Sequence, residues 1–373
     1  MTLIKICLLS LFFVFSSCLG QSKEVFTDWT TIGGNNQRTA YIDHIITRER
    51  PQVKVKGPAL YYPLVKKGIV YYNDGNNRLV AFDIANEAEL WNLPIDFHFT
   101  KLVIDEDNKI FLAGINNIMA IDLSLREVIW KIQGESELIS SLSVEDNILY
   151  STGNKLRAFD TKSGNVIWEF TPDRIGTGDA YFGQPAFYDN TVYVGGNHVK
   201  FYAINKKSGN EIWSINQRIT GHPLYVAGKI IISGFDFNLY ALNPQNGVVV
   251  FEYQSEAIAS GLAGTKDVVY ISAFKESSVY LYAFDANTGK IKWERKYESM
   301  GISRLAVSKN GLVFCMSGEM SNVNLLNIEN GNEIWQKKLP SFITTLEIVL
   351  LNNTIIFVGQ DLMEDTSSLY ILE

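Results

Sequence analysis

Four histidines, three cysteines and one knot of acids are the side chains in this 373-residue sequence best suited to metal or covalent chemistry. His44, His98, His198 and His222 lie in different segments, and none has the His-x-His or His-Glu-x-x-His spacing that brings two imidazoles onto one metal. They read as isolated surface or rim residues. Asp361, Glu364 and Asp365 cluster between Gly359 and Ser368, but without the spacing of an EF-hand loop, so a solvated acidic turn fits them better. No Gly-x-Ser-x-Gly elbow and no phosphate-cradling Walker loop occurs. Cys7 sits in the apolar N-terminal run, Cys18 follows it, and Cys315 in Val313-Phe314-Cys315-Met316 reads as a small buried hydrophobe. Without a Cys-x-x-Cys pair, zinc ribbons and c-type haem attachment are excluded, and no disulfide framework is available.

The N-terminus reads as an export signal. Lys5 precedes the apolar run Ile6 to Phe15, which is too short to span a bilayer comfortably. Phe15-Ser16-Ser17-Cys18 then resembles the lipobox of bacterial lipoproteins, with Phe15 where Leu is commonest. That resemblance implies a signal peptide over 1–17 and acylation of Cys18, hence an envelope protein lipid-anchored at the outer membrane. Cleavage after Gly20, giving a secreted soluble protein, is the alternative. Net charge is −7, and without residues 1–17 there remain 32 bases against 40 acids. Basic residues cluster only in pairs, so no nucleic-acid partner is expected.

The rest of the chain, 24–373, reads as a single all-β domain built on a repeat. Ala158-Phe159-Asp160 ends a strand, Gly164 permits a tight turn, and Val166-Ile167-Trp168 begins the returning strand. The pattern recurs at Ala81 to Trp91, Ala120 to Trp130, Ala203 to Trp213, Ala241 to Phe251, Ala283 to Trp293 and Leu325 to Trp335. The aromatics fall 39, 38, 45, 38, 42 and 42 residues apart. Each interval holds four short strands, and a period near forty in an all-strand sequence means a radial array of blades.

Ala-x-Asp-x-x-x-Gly-x-x-x-Trp, once per four-stranded blade, resembles the tryptophan-docking repeat of PQQ-like (quinoprotein-type) β-propellers. The resemblance implies that Trp91, Trp130, Trp168, Trp213, Phe251, Trp293 and Trp335 pack between adjacent blades. Glu87 and Arg126 stand where the first two copies lack the turn glycine. Residues 343–372 supply three strands of a further blade, and Glu24 to Trp29 is the aromatic-bearing segment that could complete it. The expectation is therefore an eight-bladed propeller of four-stranded antiparallel blades closed by this N-terminal strand, with Trp29 as the eighth docking aromatic. Residues 42–57 then lead to the first inner strand. Seven blades with ragged termini is the alternative.

PQQ-dependent alcohol dehydrogenases share the repeat and hold calcium, a catalytic Asp and a vicinal Cys pair beside the cofactor. This chain has no adjacent cysteines and no residue onto which that site carries over. PQQ, calcium and catalysis are therefore not expected. In architecture, size and anchoring the chain resembles PQQ-like envelope lipoproteins, of which the outer-membrane assembly factor BamB is the best-known kind, although no motif singles out BamB itself. The resemblance implies a non-enzymatic scaffold that binds a protein or peptide. The longest loop, Thr171 to Gly183, carries Arg174, Tyr181 and Phe182, residue types that anchor interfaces. Phe235 and Phe237 fall on the same expected face, and Arg218, His222 and Arg304 near the channel mouth. A dehydrogenase-like or carbohydrate-binding propeller using that mouth is the competing function, and capping of their own blade the competing role for Tyr181 and Phe182.

Overall fold

The computed structural model describes residues 28–373 apart from 47–52, 135–138, 256–257, 319–320, 340–341 and 345–346. Signal peptide, Cys18 and Glu24 to Thr27 lie outside the described residues. Every regular element among them is a strand, arranged as eight antiparallel sheets in a ring, an eight-bladed β-propeller. Blade 3 shows the plan, with Ile139–Glu145 innermost, then Ile148–Gly153, Leu156–Asp160 and Val166–Phe170 at the rim.

The repeat is the joint between blades. Each aromatic is the cross-strand partner of the first motif residue, as in Ala158 opposite Trp168, and a bulge follows at once. The ring then reaches the next blade and lies on its turn glycine. A Cβ added at Gly164 would stand 2.8 Å from Trp130, and one at Gly209 2.6 Å from Trp168. The indole N–H groups of Trp130, Trp168, Trp213 and Trp293 donate to Thr161, Lys206, Pro244 and Ile328 carbonyls of the next blade at 2.9–3.1 Å. The glycine is thus fixed twice, by a φ near 73° at Gly164 and Gly209 and by the ring above it.

Ring closure differs from the sequence expectation. The outermost strand of blade 8 is Val53–Pro58, paired antiparallel with Thr366–Leu372, not Glu24 to Trp29. The closing strand carries no aromatic, and the turn it faces in blade 1 holds Glu87 in place of glycine. Alternating Val and Lys suit an edge strand. Trp29 instead bridges Val65 of the first inner strand through two backbone bonds of 2.7 and 2.9 Å and is fully buried.

From Trp29 the chain circles one end of the channel and touches every blade. Thr30 O accepts from Ile104 N, Asn36 Nδ2 donates to Val144 O, and Asn36 O accepts from Phe187 N. Gln37 O, Thr39 O and Ala40 O accept from Tyr225, Gly264 and Val307. Gly33 N donates to Glu347 Oε1 of blade 8 at 2.6 Å. These partners lie towards the C-terminal ends of the inner strands, so the segment closes the end opposite the loop face, where outer strands lead into the next blade.

Because the Gly209 turn has no room above it and a left-handed φ, Gly209→Ala should destabilise the propeller by about 2 kcal/mol or more. Urea unfolding checks this, and Ser208→Ala in the same turn serves as the mild control.

Candidate functional site

Inner strands that stay regular would line the channel with a plain ladder, and most here do not. The innermost strand is split in blades 4, 7 and 8, and its register shifts in blades 1, 3, 5 and 6. Proline is one cause, since it cannot donate to the ladder. Tyr62-Pro63, Gln184-Pro185 and His222-Pro223 occupy the same stretch of blades 1, 4 and 5, where the ladder lapses. Arg304 and Glu347 occupy the corresponding breaks in blades 7 and 8.

Around these breaks a polar layer forms about Arg38. Its guanidinium is wholly buried and donates to Pro185 O, Thr31 Oγ1, Ser143 Oγ and Ile32 O. Burial draws its pKa down to about 9, so it stays charged at neutral pH, aided by Glu347. Burial pushes Glu347 above the ordinary carboxylate range, against the pull of Arg304 at 3.9 Å and the Gly33 N–H. Arg304 also donates to Gln184 Oε1 at 2.8 Å. His222 is buried, and desolvation together with Arg304 and Arg38 holds its imidazole well below the usual value. His222 and Arg304 therefore belong to this mid-channel layer, not to the mouth where the sequence placed them.

The layer offers the carboxylate of Glu347 beside the guanidiniums of Arg38 and Arg304, and among the described residues no three His, Cys, Asp or Glu converge as metal ligands. Asp361 accepts from Met363 N and Glu364 N, capping its own turn.

On the loop face the long 171–183 loop is strapped down. Arg174 forms an isolated bridge with Val199 and donates to Gly178 O at 2.7 Å. Ile175 N donates to His198 O, and Lys200 pairs with Asp173 at 2.8 Å. Tyr181 and Phe182 form a short inner strand of blade 4. Phe182 is fully buried against Phe170 and Tyr202, so it caps its blade and is not presented to a partner. Tyr181 is half-buried.

What the face does present lies one blade further on. Phe235 and Phe237, in the turn between Lys229–Gly234 and Asn238–Leu242, are 41% and 44% exposed. The Arg218 guanidinium lies over Phe235, 4.5 Å from the ring centroid. Phe237 has φ 68°, a conformation that costs a bulky residue on the order of 1–3 kcal/mol. Beside it, between blades 5 and 6, is a narrow cleft with room for about one water molecule, lined by Phe237, Leu239, Ile271 and Phe284 among others. Arg218, Phe235 and Phe237 are thus brought together, Arg174 and Tyr181 stand apart on blade 4, and His222 and Arg304 lie below. Sequence reading missed Arg38, Gln184 and Glu347. The repeated residue-before-proline in the inner strands was the signal for Gln184, whereas nothing local marked Glu347.

A family model described as Outer membrane protein assembly factor BamB matches residues 117–337 and 236–363. Outer membrane protein assembly factor BamB of Shewanella oneidensis is 23% identical over 293 residues, 73% of this chain and 65% of that protein. The chain thus spans just under two thirds of that relative's length. Among solved structures, quinohemoprotein alcohol dehydrogenase ADHIIG of Pseudomonas putida superposes with a TM-score of 0.70 at 12% identity, over 93% of this chain and 80% of that one. BamB of Moraxella catarrhalis superposes with a TM-score of 0.63 at 15% identity, over 87% and 99%. At these identities the structural likeness speaks for the fold alone.

A neutral buried His222 stabilises the fold above its unfolded pKa of about 6.5 and ceases to do so as pH falls. Stability should therefore drop below pH 6.5 by up to about 1.4 kcal/mol per unit from this residue. Urea titrations from pH 7.5 to 5 should show a shallower slope in His222→Leu, whatever that variant's absolute stability.

Proposed function

Since the chain belongs to the PQQ-like β-propeller family whose model is described as Outer membrane protein assembly factor BamB, we propose that it is a non-enzymatic scaffold of the bacterial cell envelope that docks a protein partner on its loop face. The observation that carries this reading is the pairing of Arg218 with exposed Phe235, next to a strained and exposed Phe237. Arginine and aromatic residues are the types that dominate interface energetics. Relatives named as assembly factors support protein binding as the role. Quinoprotein dehydrogenases are distant relatives, but the mid-channel donor set does not favour their chemistry. The scaffold works without PQQ or calcium on this reading.

A photo-cross-linking phenylalanine analogue placed at position 237 should capture a discrete partner in cells, and the same analogue at exposed Ile167 on the outer rim should not. Arg218→Glu should reduce that adduct severalfold without lowering the melting temperature. Equal adducts from both positions would remove the face assignment.

We further infer from the lipobox-like Ser16-Ser17-Cys18 that a lipid on Cys18 anchors the scaffold to a membrane. Metabolic labelling with a fatty-acid analogue should mark the wild type and leave Cys18→Ala unlabelled. Labelling that survives the substitution rules out this anchor.

A further inference from the structure

The outermost strand of a propeller blade has one free edge, a row of unpaired N–H and C=O groups that templates another strand unless something blunts it. Blade 6 ends in the longest such strand of the ring, the eight residues Ile291–Glu298, against five to seven elsewhere. Among the described residues no strand pairs with its outer side. Its inner neighbour is Ser278–Asp285, and just past the strand Ser299 N donates to Ser277 O at 3.2 Å. Antiparallel pairs alternate between bonded and unbonded residues, so Arg295 and Tyr297 turn their main chain inward while Glu294, Lys296 and Glu298 turn theirs to the free edge. Blade 1 has Pro94 where blade 6 has Lys296, three residues past the docking aromatic, and so has no N–H to offer there.

Side chains on this strand sort by face. Trp293 donates to Ile328 O, Arg295 donates to Gly331 O and Asn330 O, and Tyr297 packs on Phe314, all in blade 7. The alternate residues Lys292, Glu294, Lys296 and Glu298 are all exposed. Lys296 and Glu298 meet at 3.3 Å while 52% and 75% exposed, so they share one face. The four signs run plus, minus, plus, minus, a series that is its own complement when reversed. Turned antiparallel about Arg295, a second copy sets Lys292 against Glu298 and Glu294 against Lys296, twice each. The same register brings the outward main chains of Glu294 and Lys296 into the hydrogen-bonded position. Sliding the copy two residues one way sets Lys296 against Lys296, and the other way Glu294 against Glu294. Charges on an edge strand commonly discourage pairing, but here the alternation favours one register and disfavours its neighbours. The outer strands of blades 1–5 and 7 carry at most one charge at the equivalent positions, and Val53–Pro58 holds two lysines of like sign.

We propose that a second copy of this chain pairs with the free edge of Ile291–Glu298 about a two-fold axis at Arg295, joining the two blade 6 sheets into one. Glu294 of each copy exchanges both main-chain bonds with Lys296 of the other, and the Lys–Glu pairs on the exposed face hold the register. A two-fold contact is self-complementary and closes on itself, so assembly stops at the dimer. Pairing along one edge buries less than a standard interface, and its ion pairs face solvent. The dimer is therefore weak and reversible, and salt weakens it further. It uses the rim of blade 6 and stands whether or not a partner docks at the 235–237 turn.

The test is sedimentation equilibrium of the full chain carrying Cys18→Ala, so that no lipid drives association, at low ionic strength and from micromolar to submillimolar concentration. A reversible monomer–dimer equilibrium is expected, weakened by added salt. Glu294→Lys sets Lys against Lys, and Lys296→Glu sets Glu against Glu. Each should weaken dimerisation about tenfold or more while leaving the melting temperature unchanged, because both side chains are exposed. An equal mixture of the two variants restores opposite signs at every pair and should recover wild-type affinity as a heterodimer. A wild type that stays monomeric throughout, dimerisation unmoved by either reversal, or a mixture no tighter than its components overturns the proposal.

Discussion

An aromatic ring resting on the bare Cα of a glycine is the contact on which this ring of blades depends. Blades are separate sheets, joined by chain only once each, and they hold together because something large on one fits something absent on the next. Trp168 on Gly209 and Phe251 on Gly289 are that fit, with added Cβ positions 2.5–2.6 Å from the ring. The indole bond to the following carbonyl sets direction, and Phe251 shows that the contact survives without it. Where glycine is missing, the joint changes kind. Arg126 puts its guanidinium 5.9 Å from the Trp91 ring centroid, so the same aromatic face takes a cation in place of a Cα.

A propeller closed only by such joints has one seam, and here two devices hold it. Val53–Pro58 supplies the missing rim strand of blade 8. Just upstream, Trp29 to Ala40 laces all eight inner strands together from one end of the channel. The lace brings Arg38 into the centre, where a buried charge is tolerated because four oxygens and a nearby carboxylate surround it. The broken inner strands make this possible. A regular ladder would keep those backbone groups to itself, whereas a lapse at Pro185 or Pro223 frees carbonyls and turns Gln184 and His222 to the lumen side.

With repeats spent on joints and the channel centre spent on a self-satisfying polar layer, recognition falls to the loop face. Length there is a poor guide. The longest loop folds back onto blade 4 through Arg174, Asp173 and Ile175 and uses Phe182 as filling. The short turn 235–237 has too few residues to hide its own side chains, so its two phenylalanines stay outside.

The repeat determined the all-β class, seven of the blades, the docking aromatics and the turn glycines, and the strands after Trp335 pointed to an eighth blade. Each of these is local: eleven residues contain the turn, its φ and its ring. The sequence also placed Arg218, Phe235 and Phe237 on one face, because loop order in a propeller follows strand order. Only the tertiary structure decided which N-terminal segment closes the ring, since that choice pairs Val53 with Leu372 across the whole domain and neither strand carries a local mark of the other. Trp29 misled because an aromatic reads the same whether it docks at a rim or is buried beside an inner strand. Glu347 meeting Gly33, and Arg304 meeting Gln184, were invisible for the same reason: partners 314 and 120 residues apart are chosen by the geometry of a closed ring.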